Sequence, residues 1–538
     1  MEIIQNSRRC EIIYLLAILC AAGFLFTYNL GNHYLWQDEA QTALISKTIL
    51  TEGVPRGYDG RNFFSQEIGA EYGKNFIWKW HTWLPFYFVA GFFRVFGINE
   101  FSARLPFALL GIGTIVLTFY FCKALWEDKK IAYTASFLLL ICIPFLLLSR
   151  QCRWYSMSAF FSLWALLAYL KVLESKRHAP WNFVLASTLL FHTHYIYCAT
   201  LLASVLLHAL IFRRDRLRLT IKLTVIISLL NGPWILWLSG MNYGKRYGYL
   251  LFNPKKLFGF ALFFYRLITD FIFPLYLLVI IPAVALWNRI KTGAFFPTIR
   301  ICRPGLSLLL IFIIVNFVTL VIASPYPYIR YLSPIIPIFI VLLAVLLVSA
   351  AKLHVIIPIA VIAFMLFKNF TPDFMYELTH DFLPFKNSIP DFMYELTHDF
   401  DGPMEGIANY LNEHADDDDI VLITYGDMPL KFYTNLRIVG GLTGETLFVA
   451  SDPDWIIMRK YRTSNLSDRV QNYIKTFSIS DYEPIVLDCV DTRFENREAP
   501  HNHRYRTATD GPKVVIHRKK TNASSNNAAP SSLTKQKQ

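Results

Sequence analysis

The stretch LLLIFIIVNFVTLVIA at 308–323 decides the fold, because it runs without a single charged side chain. IAYTASFLLLICIPFLLL at 131–148 and IIPIFIVLLAVLL at 335–347 have the same character. A helix needs about 20 predominantly apolar residues to cross the hydrocarbon core of a bilayer, and these runs approach or reach that length. Because such runs recur along the chain, we predict an α-helical polytopic membrane protein and exclude a water-soluble fold.

The composition agrees with this fold class. Of the 538 residues, 54% are hydrophobic and 17% are charged, and the formal net charge is +13. Much of the positive excess lies in short loops between the apolar runs, where it indicates membrane topology and not a nucleic-acid partner. The eight cysteines include no CxxC pair, so neither a disulfide framework nor a zinc site is predicted.

Clusters of Lys and Arg predict the cytoplasmic loops. They lie at 8–9, 123–130, 171–177, 213–218 and 289–303. About eleven spans fit these loops, with the amino terminus inside and the carboxy terminus outside. The predicted spans are 11–30, 104–124, 131–149, 156–172, 181–194, 195–212, 219–238, 263–287, 305–323, 331–350 and 354–369. The short aromatic run 83–97 is predicted as an interfacial helix within a long outer loop, 31–103.

The chain changes character after residue 370, so we predict a membrane domain at 1–370 and other segments beyond it. The sequence PDFMYELTHDF occurs at 372–382 and again at 390–400, which we interpret as a tandem duplication in a linker, 371–401. Residues 402–520 are predicted to form a small extracytoplasmic α/β domain, and 521–538 a disordered tail. The predicted helices are Met404–His414 and Met428–Asn435, and the predicted strands are Ile420–Tyr425, Arg437–Gly440, Trp455–Met458, Pro484–Cys489 and Lys513–His517.

Polar side chains collect at the outer ends of several predicted spans. They are Asp38, Glu39, Arg150, Arg153, His192, His194 and Arg330. Each has an ordinary explanation: acidic residues favour a helix N-terminus, an arginine at a span end snorkels, and two histidines without a third ligand usually form hydrogen bonds. The two arginines at 150 and 153 lie on the side that the positive-inside rule disfavours, so they predict an anionic partner.

Six sequence motifs follow one another along the membrane part of the chain. They are WQDEA at 36–40, KWHTWLPFYFVAGFFRVFG at 79–97, FSARLP at 101–106, SRQCRWYSM at 149–157, HTHYIY at 192–197 and YIRYLSPIIP at 328–337. WQDEA in the first outer loop resembles the acidic motif of the GT-C membrane glycosyltransferases. The order of the later motifs is similar to the branch of protein O-mannosyltransferases and lipid A aminoarabinose transferases, glycosyltransferase family 39. The resemblance covers roughly residues 11–350.

The resemblance implies a GT-C fold and a sugar donor linked to polyprenyl phosphate. It implies that Asp38, or Glu39 as second choice, is the catalytic base that deprotonates an acceptor hydroxyl. The donor phosphate is expected to bind Arg330, Arg150, Arg153, Tyr331 and Tyr155, and other substrate contacts are expected at Trp36, Lys79, His81, His192 and His194. Trp78 and Trp80 are also expected to pack on sugar or headgroup. The second acidic site of some relatives has no counterpart at 150–155, so no cofactor is predicted, and a divalent metal is the disfavoured alternative.

The implied function is transfer of a sugar, with inversion, to a lipid, glycan or protein acceptor at the outer face of a bacterial inner membrane. A transporter or lipid flippase is the alternative from another class, although transporters usually carry ionisable groups or broken helices near the bilayer midplane. A non-catalytic scaffold with an outer sensing domain is the third possibility. It leaves the outward Asp and Arg residues without a role.

Overall fold

The computed structural model describes residues 2–238, 253–293, 303–352, 354–367, 369–370, 385–386, 389–441, 452–460, 465–492 and 496–520. Most of the chain is helical. The membrane part contains α1 Glu2–Thr27, α2 Gln37–Glu52, α3 Leu84–Phe96, α4 Glu100–Leu125, α5 Lys129–Leu140, α6 Ile143–Ser149, α7 Tyr155–Leu173, α8 Ala179–Thr193, α9 Tyr195–Phe212, α10 Leu217–Leu238, α11 Pro254–Leu267, α12 Ile280–Thr292, α13 Arg303–Ala323, α14 Ile336–Ala350 and α15 Ile356–Phe367. The predicted disordered tail lies outside the described residues.

Within the described ranges, six helices are long and apolar enough to cross a membrane, or eight if each of two bent pairs forms one span. The chain is therefore an integral membrane protein, but the predicted count of eleven spans is not confirmed. The candidate spans are Arg9–Thr27, Glu100–Leu125, Tyr155–Leu173, Tyr195–Phe212, Arg214–Trp237 and Gly305–Ala323. The predicted spans at 181–194, 331–350 and 354–369 correspond to the shorter helices α8, α14 and α15.

Prolines explain why two predicted spans are broken. The bend between α5 and α6 is 62°, and Pro144 lies just beyond it. Because proline has no backbone N–H, Pro144 cannot bond to the carbonyl of Leu140, and a straight helix ends there. The second bend, 79°, lies at Pro274, which likewise cannot bond to the carbonyl of Asp270. The segments 131–149 and 263–287, which were predicted as straight helices, are therefore bent pairs of helices, each broken at a proline.

The membrane helices share one hydrophobic core with the first outer loop. Helix α4 packs against α1, α5 and α7, while α7 packs against α8 and α9 packs against α13. Gly111 in α4 permits close approach of its neighbours, since an added Cβ would lie 2.7 Å from both Phe26 and Ser149. The predicted interfacial segment 83–97 forms α3, which packs against α2 and α4.

A five-stranded mixed sheet lies in the C-terminal part. The elements after the membrane helices are β1 Asn369–Phe370, β2 Phe385–Lys386, α16 Ile389–Thr397, α17 Pro403–His414, β3 Ile420–Ile423, α18 Asp427–Tyr433, β4 Arg437–Gly440, β5 Trp455–Ile457, α19 Asn465–Ile474, β6 Tyr482–Val490 and β7 Lys513–Lys519. The strand order of the sheet is β4-β3-β5-β7-β6. Strands β3, β4 and β5 run parallel, and β7 runs antiparallel to both β5 and β6. The two short strands β1 and β2 pair separately. The predicted strands are confirmed as elements, whereas an independent domain with the predicted limits is not.

The repeated sequence has a role that the linker interpretation missed. Its first copy, 372–382, lies outside the described residues. The second copy forms α16, and its Phe392 and Leu396 are fully buried in the same hydrophobic core as the membrane helices. Asn32 in the first outer loop fixes the end of this helix by donating to the His398 carbonyl over 2.8 Å and accepting from the Phe400 N–H over 3.1 Å. The second copy is therefore a packed structural element.

Candidate active site

Asp38 lies in the first turn of α2, where the helix dipole favours a carboxylate. Its Oδ2 accepts a hydrogen bond from Arg330 Nη1 over 2.9 Å and lies 3.8 Å from Arg153 Nη2. Its Oδ1 accepts from Gln66 Nε2 over 3.3 Å. Residues separated by more than 100 positions in the chain thus meet at one carboxylate, as predicted for Asp38, Arg153 and Arg330.

Arg330 is held by two carboxylates and an aromatic ring. It lies in the short 3-10 turn Ile329–Leu332. Besides Asp38, its Nη1 donates to Glu498 Oε1 over 3.2 Å, and its guanidinium lies 4.1 Å from the ring centre of Tyr328. An arginine that only anchors a helix at the membrane surface points toward the headgroups. Arg330 instead points into the site.

The ionisation of Asp38 follows from the charges around it. Burial raises the pKa of its carboxyl, but the guanidinium groups of Arg153, Arg330 and Arg497 outweigh burial and hold the pKa below its ordinary value. Asp38 is therefore a carboxylate at neutral pH, which is the form that a base requires.

Arg153 connects Asp38 to two histidines. Its Nη1 donates to the Asp38 carbonyl over 3.1 Å and to Thr42 Oγ1 over 2.9 Å. Burial and the charge of Arg153 lower the pKa of His81 well below its usual value, so His81 is a neutral group beside a cationic one. The rings of His81 and His194 lie 6.3 Å apart.

Glu39 has surroundings quite unlike those of Asp38. It is fully buried and accepts from Arg104 Nε over 2.9 Å and Arg104 Nη2 over 2.7 Å. The Cys152 N–H donates to it over 2.6 Å and Asn496 Nδ2 over 3.2 Å. Since these donors saturate the carboxylate away from any opening, the geometry favours a structural role for Glu39 and leaves Asp38 as the candidate base.

Arg150 faces away from Asp38. Its guanidinium donates to the carbonyls of Leu25, Tyr28 and Asn29 over 3.1, 2.9 and 3.2 Å. These are carbonyls at and just beyond the C-terminal end of α1, which have no partner within the helix. Arg150 therefore caps a helix, and the structure does not bring it to the group around Asp38 as the prediction of a phosphate contact required.

Trp36, Trp78 and Lys79, which are predicted to contact substrate or headgroup, pack against other residues of the protein. Trp36 is buried, donates from Nε1 to Gln151 Oε1 over 2.7 Å and lies beneath the guanidinium of Arg497 at 4.3 Å. Trp78 is fully buried, so the expectation that its ring packs on sugar or headgroup is wrong. Lys79 places Nζ 4.9 Å from the ring centre of Trp237.

Three further residues predicted to bind substrate are Tyr155, Tyr331 and His192. The Tyr155 hydroxyl is buried without a hydrogen-bond partner among the described residues. The Tyr331 ring lies 5.7 Å from the Arg330 guanidinium. His192 packs edge-on against Trp234 at 5.2 Å. Over the described ranges, neither His192 nor His194 belongs to a group of three possible metal ligands.

Sequence reasoning missed the C-terminal segment that reaches this site. Asn496 contacts Glu39, Glu498 contacts Arg330, and Arg497 donates to the Tyr425 hydroxyl over 2.7 Å while lying over Trp36. The only available signal was the concentration of charge in ENRE at 495–498, within a part of the chain predicted to form a separate domain. Gln66, within the outer loop, carried no signal.

Known proteins resemble this chain in sequence over part of its length. A sequence model of the family described as dolichyl-phosphate-mannose-protein mannosyltransferase matches residues 80–237, which include Arg153 and both site histidines. A protein of Aquifex aeolicus without an assigned function is 26% identical over 227 residues, which are 41% of this chain. The chain thus spans about 43% of the length of this curated relative.

Solved structures show the fold. ArnT from Cupriavidus metallidurans in the apo state is 15% identical with a TM-score of 0.53, covering 95% of this chain and 98% of ArnT. ArnT bound to undecaprenyl phosphate is 14% identical with a TM-score of 0.51, covering 94% and 97%. The Archaeoglobus fulgidus oligosaccharyltransferase is 14% identical with a TM-score of 0.50, covering 83% and 68%. The resemblance predicted from the sequence is thereby confirmed: this integral membrane protein shares its fold with ArnT and the oligosaccharyltransferase, and its residues 80–237 match the dolichyl-phosphate-mannose-protein mannosyltransferase family.

Proposed function

We propose that this protein transfers a sugar from a polyprenyl-phosphate carrier to an acceptor hydroxyl at the outer face of the membrane. The observation that carries the proposal is the ionised Asp38 beside the guanidinium groups of Arg330 and Arg153. A base and a set of phosphate-binding cations within one site are the two requirements of this reaction.

In the proposed reaction, the acceptor oxygen attacks the anomeric carbon of the donor sugar. The bond from that carbon to the phosphate oxygen breaks, and the electron pair leaves with the polyprenyl phosphate. The hydroxyl proton passes to the Asp38 carboxylate. A single displacement of this kind inverts the anomeric centre.

The donor phosphate is proposed to bind Arg330 and Arg153. Planar guanidinium groups offer paired donors that match phosphate oxygens, and they stay charged in a partly buried site. In the structure Arg330 satisfies its charge with Asp38 and Glu498. A phosphate that competes for Arg330 weakens its bond to Asp38, and because burial alone raises the pKa of Asp38, the carboxylate becomes a stronger base when the donor arrives.

The other predicted residues are proposed to contact the sugar and the phosphate. Tyr331 and Tyr155 carry hydroxyls near Arg330, and the imidazole rings of His81 and His194 can form hydrogen bonds with sugar hydroxyls. Lys79, His192 and the edge of Trp36 border this region. Since two guanidinium groups can neutralise the phosphate, we propose chemistry that needs no cofactor and no catalytic metal.

Two comparisons support a polyprenyl-phosphate donor. The matched family is described by its use of dolichyl-phosphate mannose, and the ArnT structure holds undecaprenyl phosphate. They do not favour the alternative of a transporter or flippase. A bacterial inner membrane with the C-terminal part outside is the location that we propose, and the acceptor can be a lipid, a glycan or a protein.

The test uses the full chain purified into lipid nanodiscs and a panel of undecaprenyl-phosphate-linked sugars. We expect release of undecaprenyl phosphate from one member of the panel when acceptor is supplied as a membrane extract. Asp38→Asn serves as the matched inactive control. A wild-type protein that binds these donors in nanodiscs without cleaving them, and that moves them across the bilayer of sealed proteoliposomes, would establish a flippase and refute the proposal. Mass spectrometry of glycolipids and glycoproteins from cells with and without the protein then identifies the acceptor.

A further inference from the structure

A second group of chemically active side chains lies apart from Asp38, and it joins three distant segments. His33 comes from the first outer loop, Glu395 from the repeat helix α16 and His503 from the C-terminal segment, and all three are buried. Their candidate ligand atoms all lie within 4.8 Å of one another. His33 Nε2 is 3.5 Å from Glu395 Oε1, and His503 Nε2 is 2.7 Å from Glu395 Oε2.

Hydrogen bonds orient His503 as a ligand. Its Nδ1 lies 2.7 Å from the carbonyl oxygen of Arg497, to which it donates. This bond leaves Nε2 directed at Glu395. Histidines that bind metals characteristically donate their other ring N–H to a carbonyl or carboxylate, which fixes the tautomer and the ring orientation.

An ion pair alone does not account for His33. If His503 is protonated, it satisfies both its own nitrogens and one oxygen of Glu395. Both ring nitrogens of His33, however, are buried without a hydrogen-bond partner in the described part of the chain. The ring is stacked on Phe400 with centroids 4.1 Å apart, so it is held in place. An unpaired polar ring that is held against a carboxylate requires a partner that the side chains do not supply.

We propose that His33, Glu395 and His503 bind one divalent metal ion of the zinc class. Two imidazole nitrogens and a carboxylate oxygen form a common ligand set for Zn²⁺, with a fourth position left for water. At metal–ligand distances of about 2.0 to 2.1 Å, tetrahedral ligands lie about 3.3 Å apart. The observed separations of 2.7 and 3.5 Å lie on either side of this value, so small side-chain movements suffice.

A bound ion would connect the C-terminal segment, through His503, to the first outer loop, through His33. His503 follows closely after Asn496 and Glu498, which contact Glu39 and Arg330 in the candidate active site. A metal at His503 would therefore reduce the freedom of the segment that closes that site. The inference stands on this second cluster and does not depend on the proposed glycosyl transfer.

The test measures metal binding directly. Full-length protein in nanodiscs, stripped with a chelator and then dialysed against Zn²⁺, should retain about one ion per chain. Zn²⁺ should also raise the apparent Tm by several degrees, since a ligand that binds only the folded state stabilises it. Co²⁺ in place of Zn²⁺ should show the visible absorption of a four-coordinate site.

Variants separate this site from adventitious binding. His33→Gln should lose the bound ion and the Zn²⁺-dependent rise in Tm, while its metal-free Tm stays near wild type because the His33 side chain makes no hydrogen bond in the described structure. His398→Gln is the matched control, because this exposed histidine lies just beyond the end of α16, and it should behave as wild type. Wild-type protein that retains no Zn²⁺, or His33→Gln that retains as much as wild type, would overturn the proposal.

Discussion

Asp38 and Glu39 are adjacent in the chain, and substitution of each by its amide should separate catalysis from folding. The side chain of Asp38 is 15% exposed and has one close ion pair, with Arg330. The Glu39 side chain is fully buried and pairs with Arg104 over 2.7 Å. Each amide keeps the shape and removes the charge. The two substitutions therefore test which carboxylate does the chemistry.

For Asp38→Asn we expect a loss of turnover of about 10² to 10⁴, the usual contribution of a general base, or roughly 2.7 to 5.4 kcal/mol of barrier. Donor binding should not weaken, because the phosphate no longer competes with a carboxylate for Arg330, and Tm should change little. For Glu39→Gln we expect instability, because removing one partner of a buried ion pair costs about 3 to 5 kcal/mol. The carbonyls of Leu30, His33 and Tyr34 also bind Arg104 and place the expected cost near the lower limit.

The assay measures release of undecaprenyl phosphate from a lipid-linked sugar in nanodiscs, together with thermal unfolding of the same samples. Turnover is referred to the folded fraction, so that loss of protein is not counted as loss of catalysis. Wild-type turnover in Asp38→Asn would refute its assignment as the base. A Glu39→Gln protein that keeps the wild-type Tm but loses turnover per folded molecule would transfer the role to Glu39.

Three other predictions concern Arg330, Arg153 and the membrane topology. Arg330→Lys should weaken binding of undecaprenyl phosphate by about tenfold with Tm unchanged, because an ammonium group lacks the paired planar donors; calorimetric titration measures this, and full affinity would leave Arg330 as an anchor only. Arg153→Gln should move the acid limb of the pH–rate profile to higher pH, because Arg153 holds the pKa of Asp38 low and activity is lost as pH falls through that pKa; an unmoved limb would contradict this assignment. A membrane-impermeant thiol reagent should label a cysteine at Asn435 but not one at Lys129 in intact spheroplasts, and the reverse pattern would invert the predicted topology.

Elements governed by local pattern were predictable from the sequence. Apolar runs gave the helices of the membrane part, and alternation of short apolar segments gave strands such as Arg437–Gly440 at the observed limits. The two broken helices were also open to prediction, because Pro144 and Pro274 each remove a backbone donor. Length and hydropathy alone do not account for a missing backbone donor, so they predict straight spans in both places.

Contacts between distant segments were only partly predictable. Topology placed Asp38, Arg153 and Arg330 on one side, and their convergence is observed. No sequence signal connects Glu498 to Arg330, since they lie on segments separated by a sheet and several helices. Asp38 and Glu39 could not be separated either, because neighbours on a helix point about 100° apart and only the packed structure shows which direction is open.

The arrangement of charged groups around Asp38 favours an anionic ligand. Among the described residues, the guanidinium groups that act on Asp38 belong to Arg153, Arg330 and Arg497. The carboxylates that face them are Asp38 itself and Glu498, which pairs with Arg330. Arg330 Nη1 is thus shared between two carboxylates in a partly buried site, and an anion that displaces either carboxylate meets a guanidinium that is already held in place. We propose that the phosphodiester of a lipid-linked sugar is this anion, because a neutral sugar cannot compete with a carboxylate for a guanidinium.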